Sequence, residues 1–333
     1  MTAAYAVVIP TLVRDTLADC LAALAAATGP TPREIVLVDD RPVPDPGPLE
    51  HPLSVLGDLR DRTTVLHGGG RGPAAARNTG LRAVASPWVA FLDDDVQVGP
   101  HWCEQLTQDL AAASPDTAGV QGVIAVPLPG LRRPTDWERE TVARARARWG
   151  TVDMAYRTDA LKQVRGFDER FLRGHREDID LALRLLDAGW GIRQGRRTTR
   201  HPVRPEGRWA SLAAQRGHAD DALMLRLHGA GWWSKAVAPR GRVRAHLAVT
   251  AAGAAACVLA CAGRRTAAAV AASVWAAGTA EFAWARIAPG PRTRDEVTTL
   301  LVTSALIPPA AGWHWLSGLW RYRGAPVWRD VAP

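Results

Sequence analysis

Short apolar runs that end abruptly in carboxylates most restrict how this chain can fold. Ile35-Val-Leu-Val38 runs straight into Asp39-Asp40, and Trp88–Leu92 into Asp93-Asp94-Asp95. Tyr5–Ile9 is a similar run closed by Pro10-Thr11, and Thr63–Leu66 adds a further strand signal. Apolar runs without polar alternation suit strands buried on both faces, as in parallel sheets. Helical signals lie between them. Leu17, Leu21 and Leu24 share one face behind a potential cap at Asp15, and Pro73 suits the first turn of a helix reaching about Val84. This alternation predicts an open, mostly parallel α/β sheet flanked by helices, with its ligand crevice beyond the carboxyl ends of the strands. Asp39, Asp40 and the triple aspartate converge there.

Composition narrows the function classes. Among 333 residues, 47% are hydrophobic and 22% charged, which fits a globular protein and excludes a disordered or fibrous one. The net charge of +8 is almost all arginine, since Lys162 and Lys235 are the only lysines. Residues 246–333 carry 8 Arg and 4 acids, hence +4 of that excess, so no single basic face marks the front part and nucleic acid is not the expected partner. The four cysteines form no CxxC or zinc spacing and read as buried thiols in a reducing compartment. Without a basic leader, and with its first apolar run stopped at Pro10, the N-terminus does not read as a signal peptide. The front part is expected in the cytoplasm.

Three clusters carry chemistry. Gly68-Gly-Gly-Arg-Gly-Pro73 fits neither a Walker loop nor GxGxxG and reads as a backbone turn, whereas Arg71 and Arg77 offer guanidinium forks suited to diphosphate oxygens. The aspartates at 93–95 repel one another unless solvated or neutralised, and hard oxygen ligands select Mg²⁺ or Mn²⁺. From Glu177 the spacing of Ile179, Leu183 and Leu186 predicts a helix stopped by Gly189, with Glu177, Asp178 and Asp180 crowding its first turn.

Taken together, VVIPT, EIVLVDD, AAARNTG, FLDDDV, GFDERF and REDIDLALRLLDAGW, in that order, resemble the inverting family 2 glycosyltransferases of GT-A fold over roughly residues 5–230. The resemblance implies single-sugar transfer, of hexosyl or deoxyhexosyl type, from a nucleotide-diphospho-sugar to an acceptor hydroxyl. It implies that Pro10 and Thr11 line the nucleotide pocket, with Asp39 accepting a hydrogen bond from the base. Arg71, or else Arg77, reaches the diphosphate. Asp93 and Asp95 match the outer positions of a DxD motif, with Asp95 the first choice for contact with a divalent metal, Asp93 nearer the ribose or a metal-bound water, and Asp94 on the donor side. Asp178 matches the catalytic base, with Glu177 and His175 on the acceptor side. His201 reads either as a completing metal or phosphate ligand or as a satisfied structural histidine. Two departures stand out: Arg41-Pro-Val-Pro follows Asp39-Asp40 where the family carries Gly-Ser, and Gln215-Arg-Gly-His-Ala-Asp220 replaces the QxxRW of processive members.

The catalytic domain is expected over 1–240 and an apolar helical region over 241–333, with candidate membrane segments at 246–263, 266–288 and 297–320. Trp313, Trp315 and Trp320 suit a lipid–water interface, and Arg240, Arg242 and Arg244 precede the first run as a cytoplasmic anchor would. Against spanning stand the weak hydrophobicity of alanine, Glu281 inside a run, and Arg264-Arg265, which favour a shallow hairpin or interfacial helices. The expected place is the cytoplasmic face of the cell membrane, or else the cytoplasm, and the acceptor a lipid-linked or envelope glycan. A membrane-associated scaffold with a degenerate transferase fold is the non-enzyme alternative, disfavoured by intact Asp93, Asp95 and Asp178. A nucleotidyltransferase would need an activating Gly-rich loop that VVIPTLVRDT lacks.

Overall fold

The computed structural model describes residues 3–328; residues 1–2 and 329–333, the ends of the two expected domains, lie outside the described residues. The chain forms two compact units, one of residues up to 127 together with 143–203, the other of 128–142 together with 204 onward.

The first unit is an eight-stranded sheet. Its strands are β1 (Tyr5–Thr11), β2 (Glu34–Asp39), β3 (Thr63–His67), β4 (Trp88–Leu92), β5 (Gln97–Val98), β6 (Thr117–Ala125), β7 (Asp153–Arg157) and β8 (Gly191–Arg200). They run in the order β3-β2-β1-β4-β7-β6-β8-β5. The pairs β1–β2, β1–β4, β2–β3 and β6–β8 are parallel, whereas β4–β7, β6–β7 and β5–β8 are antiparallel. The expected α/β sheet is present, and its second half is mixed. Helices α1 (Thr16–Ala26), α2 (Pro73–Ala83), α3 (Trp102–Ala111) and α4 (Glu177–Asp187) accompany it. Tyr5, Val7, Ile9, Ile35, Leu37, Ala90 and Leu92 form the core with Leu17, Leu21 and Leu24 of α1, which explains their sequence spacing.

One local expectation changes and another is met. Asp15 occupies the position before α1, yet its side chain makes no capping bond, since its backbone is already helical there. Gly189 does stop α4: at φ 89° it takes the left-handed position, its N–H donates to Leu186 O, and Trp190 N–H donates to Leu185 O, the Schellman pattern.

The second unit is helical, with α5 (His218–His228), α6 (Val243–Cys261), α7 (Arg265–Ile287) and α8 (Arg294–Arg321). Gly278 and Gly253 let α6 and α7 close on each other; a Cβ at Gly278 would lie 2.5 Å from Val249 Cγ2, and one at Gly253 2.9 Å from Trp275 Cδ1. Arg286 is the polar centre of this unit. Buried, it donates to Asp136 Oδ2 (2.7 Å), Thr303 Oγ1 (2.9 Å), Ser304 Oγ (3.1 Å) and Ser211 Oγ (3.0 Å). Cys20 and Cys103 are buried as expected, but Cys257 and Cys261 are exposed, because most of α6 is uncovered by protein.

Candidate active site

The carboxyl ends of β1, β2 and β4 gather the acids, as parallel register requires: Thr11 stands opposite Asp39, and Asp39 opposite His67. Each acid there has a different task. Asp40 accepts the N–H groups of Arg71 (3.1 Å) and Gly72 (2.8 Å), so the Gly-rich segment is a turn pinned by a carboxylate. Arg71 is half-exposed, its guanidinium on Glu169 (3.1 Å), Gly68 O (3.0 Å) and Thr79 (3.3 Å). Asp94 is buried and staples the turn after β1. It accepts from Thr11 Oγ1 (2.6 Å), Leu12 N–H (3.3 Å) and Arg14 (2.9 Å). Val13, at φ 56°, is the strained residue of that turn, and its N–H donates to Thr11 Oγ1 (2.8 Å). Thus Thr11 and Asp94 spend their hydrogen bonds on each other, with Pro10 beside them in β1. Burial raises the Asp94 carboxyl pKa against the pull of Thr11 and Arg14.

Arg77 sits differently from Arg71. It is 3% exposed and joins two motifs far apart in sequence, donating to Asp93 Oδ1 (2.8 Å) and to Glu177 Oε1 (2.9 Å). Charge-assisted bonds of this kind hold geometry firmly once buried. Asn78, one residue on, accepts Phe167 N–H (2.8 Å) and donates to Phe167 O (2.9 Å) and Glu169 (3.0 Å). Gly166, at φ 69°, leaves room for this, since a Cβ there would meet Asn78 Oδ1 at 2.5 Å. AAARNTG, FLDDDV, GFDERF and REDID are therefore one hydrogen-bonded assembly.

At the start of α4, Glu177 is buried on Arg77 while Asp178 is only partly buried. Asp178 Oδ1 accepts the Ile179 N–H (2.7 Å), and a Cβ at Gly150 would lie 3.8 Å from its other oxygen, Oδ2. Burial raises its pKa, against the Ile179 N–H and the charges of Arg176, Arg77 and His175. Burial and then the Asp178 charge likewise push Glu177 up, against Arg77. Arg176, at φ 75°, turns the chain into the helix, and half-buried His175 precedes it. The wall near Asp178 includes residues that sequence reasoning missed. Gln121 of β6 accepts Trp149 N–H (2.9 Å) and donates to Ala147 O (3.1 Å), pinning the segment before Gly150. Nothing in an apolar strand context signals such a glutamine.

Asp95 is buried, with Oδ1 3.5 Å from His201 Nε2 just past the end of β8. His201 is delivered by an irregular strand, where Gly195-Arg196-Arg197 stand opposite the single residue Gly122. Both Asp109 oxygens accept the backbone N–H of Arg196 (3.0 Å each), and Oδ2 also accepts from Arg197 Nη1 (3.3 Å). The fully buried Arg197 also binds Asp153 (2.8 Å), which accepts from Trp102 Nε1 (2.8 Å) and Thr199 Oγ1 (2.6 Å). Among the described residues no three His, Cys, Asp or Glu side chains converge as a ready cation cage. The Asp95 carboxylate is a hard oxygen donor of the kind Mg²⁺ and Mn²⁺ sites use when substrate phosphates complete the shell, whereas an imidazole is not a typical Mg²⁺ ligand.

Residues 6–174 match the model of glycosyl transferase family 2, half of the chain. Over 159 residues the chain is 33% identical to the pre-mycofactocin glycosyltransferase of Mycobacterium tuberculosis, covering 41% of this chain and 31% of that protein. Over 199 residues it is 25% identical to glycosyltransferase AglE of Haloferax volcanii, covering 58% and 64%. The chain thus spans less than two thirds of the curated relatives it matches. Among solved structures, the mannosyltransferase PcManGT from Pyrobaculum calidifontis in complex with GDP-Man and Mn²⁺ superposes with a TM-score of 0.54 at 17% identity, over 96% of this chain and 88% of that one. That likeness shows the GT-A fold. With the motifs joined by Arg77 and Asn78 as its structural signature, the chain belongs to glycosyl transferase family 2.

Proposed function

We propose that the protein is an inverting, single-sugar glycosyltransferase that uses a nucleotide-diphospho-sugar donor, with Asp178 as general base. The observation that carries this is the division of labour at the start of α4: Glu177 is buried and committed to Arg77, whereas Asp178 is only partly buried, with Oδ2 on the side of Gly150. Asp178 removes the acceptor hydroxyl proton as that oxygen forms its bond to the anomeric carbon. The carbon–oxygen bond to the diphosphate breaks on the opposite face, its electron pair leaving with the nucleoside diphosphate. No enzyme nucleophile is needed and the anomeric configuration inverts. General-base help of this kind contributes about 10²–10⁴-fold.

Asp95, with Asp93 as the second candidate ligand and donor phosphates completing the shell, would hold a divalent cation; bound there, it would supply Lewis-acid stabilisation of the departing diphosphate. Arg77 holds Asp93 and Glu177 at fixed separation, so donor and base sides keep their register. Arg71 is the arginine with an exposed guanidinium for the diphosphate, and Pro10, Thr11, Asp39 and Asp94 shape the nucleoside side. His175 and Glu177 flank the acceptor. The GDP-Man and Mn²⁺ bound to the Pyrobaculum enzyme support this donor class.

In this reading the enzyme works at the cytoplasmic face of a membrane, or else in the cytoplasm, with a lipid-linked or envelope glycan as acceptor. Supporting this, α6 is the one described helix long and apolar enough to cross a bilayer, at 19 residues or about 28 Å. Val258, Val270, Val274, Trp275, Trp284, Leu306, Trp313 and Trp320 are exposed on α6, α7 and α8. Glu281, costly alone in lipid, is paired with Arg242. The test is a panel of nucleotide-sugars with Mn²⁺ or Mg²⁺, following nucleoside diphosphate release. Wild type should turn over at least one donor, and Asp178→Asn should lose about 10²–10⁴ in kcat with donor affinity kept. Undiminished turnover in Asp178→Asn sinks the assignment.

A further inference from the structure

The edge of β2 does not present the carboxylate that its sequence suggests. Asp39 is 2% exposed, and Arg41 engages both of its oxygens: Nε on Oδ1 at 2.9 Å and Nη2 on Oδ2 at 2.7 Å, with the Arg41 N–H on Oδ1 at 3.1 Å. A fork of this geometry fixes the plane of the guanidinium. Arg41 is held from the other side too, since Nη2 donates to Asp45 O at 2.5 Å. The loop that carries it, residues 41–48, contains four prolines and is stiff. It is also wedged against the Gly-rich turn, where a Cβ on Gly70 would lie only 3.0 Å from Pro42 Cγ. Arg41 is thus built into place, and its side chain keeps 21% exposure where Asp39 keeps 3%.

What this edge offers a ligand is therefore N–H donors in a fixed plane. Thr11, Asp39 and His67 share this level at the carboxyl ends of β1, β2 and β3, the side of the sheet where ligands of α/β proteins bind. Resting on the nucleotide-donor reading above, we propose that Arg41 is the residue that meets the nucleobase, and that it selects bases carrying an exocyclic carbonyl over adenine. Asp39 acts through it, as a positioning residue that sets the guanidinium plane. Uracil, thymine and guanine present a carbonyl oxygen to a guanidinium; adenine presents an amino group there, which leaves a desolvated donor facing a donor.

The test is calorimetric binding of UDP, GDP, dTDP and ADP, with inorganic diphosphate as the base-free probe, in the presence of Mg²⁺. Wild type should bind at least one carbonyl-base diphosphate about tenfold or more tighter than ADP, a difference of about 1.4 kcal/mol. Arg41→Ala should collapse that preference while leaving affinity for inorganic diphosphate unchanged. Asp39→Asn should lose the same preference, and the double variant should lose no more than either single one, because the two act as a unit. Arg41→Lys, which keeps charge without the fork, should not restore it. Tighter UDP or GDP binding in Arg41→Ala would make Arg41 a plug over Asp39 and overturn the proposal. So would an intact base preference, or an equal loss for inorganic diphosphate. Folded wild type that binds inorganic diphosphate but none of the nucleotides would instead refute the nucleotide-donor reading itself.

Discussion

Both units of this chain bury paired charge, but they differ in how much of it they bury and in what they leave exposed. In the sheet unit, charge goes inside: Arg77, Arg184 and Arg197 are each at most 3% exposed, and each is matched by carboxylates. In the helical unit, apolar surface stays outside, with Trp284 63% and Trp313 and Trp320 each 70% exposed. The difference teaches where specificity resides. A buried ion pair gives little net stability but is costly to break, so it fixes one arrangement among several possible ones. The exposed tryptophans of α7 and α8 are instead apolar surface of the kind that marks interaction sites.

That contrast can be broken at its strongest point first. Replacing Arg197 by Met leaves Asp153 and Asp109 buried without their cation. Chemical denaturation should show a loss of about 3–5 kcal/mol, the usual cost of removing one partner of a buried pair. A loss under about 1 kcal/mol would mean that the irregular strand is held by packing alone. Next, Asp95→Ala should weaken donor binding in Mg²⁺ or Mn²⁺ by an order of magnitude or more while leaving metal-free binding of the nucleotide unchanged. Equal losses with and without metal would place Asp95 in the fold's framework beside Arg197. A smaller effect concerns pH. The Asp178 pKa is raised, and only its deprotonated form accepts a proton. As pH falls, kcat/KM should therefore decline with a midpoint above the ordinary aspartate value of 3.8, and a midpoint at or below it contradicts the burial described. Smallest in stability is the pair Trp313→Gln and Trp320→Gln, expected within about 0.5 kcal/mol of wild type. Co-sedimentation with vesicles of phosphatidylcholine and phosphatidylglycerol should nonetheless drop. Marked destabilisation would show that protein covers those faces.

The first half of the sheet was legible because its signal is local. Strands β1, β2 and β4 are buried on both faces, so their residues must be continuously apolar, and their carboxylates must sit where the strands end. The second half escaped a reading by pattern. β7 is Asp-Met-Ala-Tyr-Arg and β8 is Gly-Ile-Arg-Gln-Gly-Arg-Arg-Thr-Thr-Arg, neither of which carries the continuous apolar run of a buried strand. They are strands because Arg197 and Thr199 neutralise and satisfy Asp153 and Asp109 inside the sheet, a match between residues 44 to 88 positions apart. Individual roles were also beyond sequence. Arg71 and Arg77 are equivalent candidates on paper, yet one lies half-exposed on Glu169 and the other is buried between Asp93 and Glu177. Likewise three adjacent aspartates diverge: Asp94 staples the β1 turn, Asp93 meets Arg77, and Asp95 faces His201.

By itself, then, the sequence determined the fold class, the family and the edge of the sheet where chemistry belongs. Periodicity and strand-end carboxylates are consequences of burial that any reader of the chain can see. Only the tertiary structure decided which acids are committed and which remain open, that Arg41 stands in front of Asp39, and that an arginine-rich strand delivers His201 to Asp95. The physical reason is the same in each case. A charged side chain's role is set by the partner it finds, and partners distant in sequence meet only when the chain has folded.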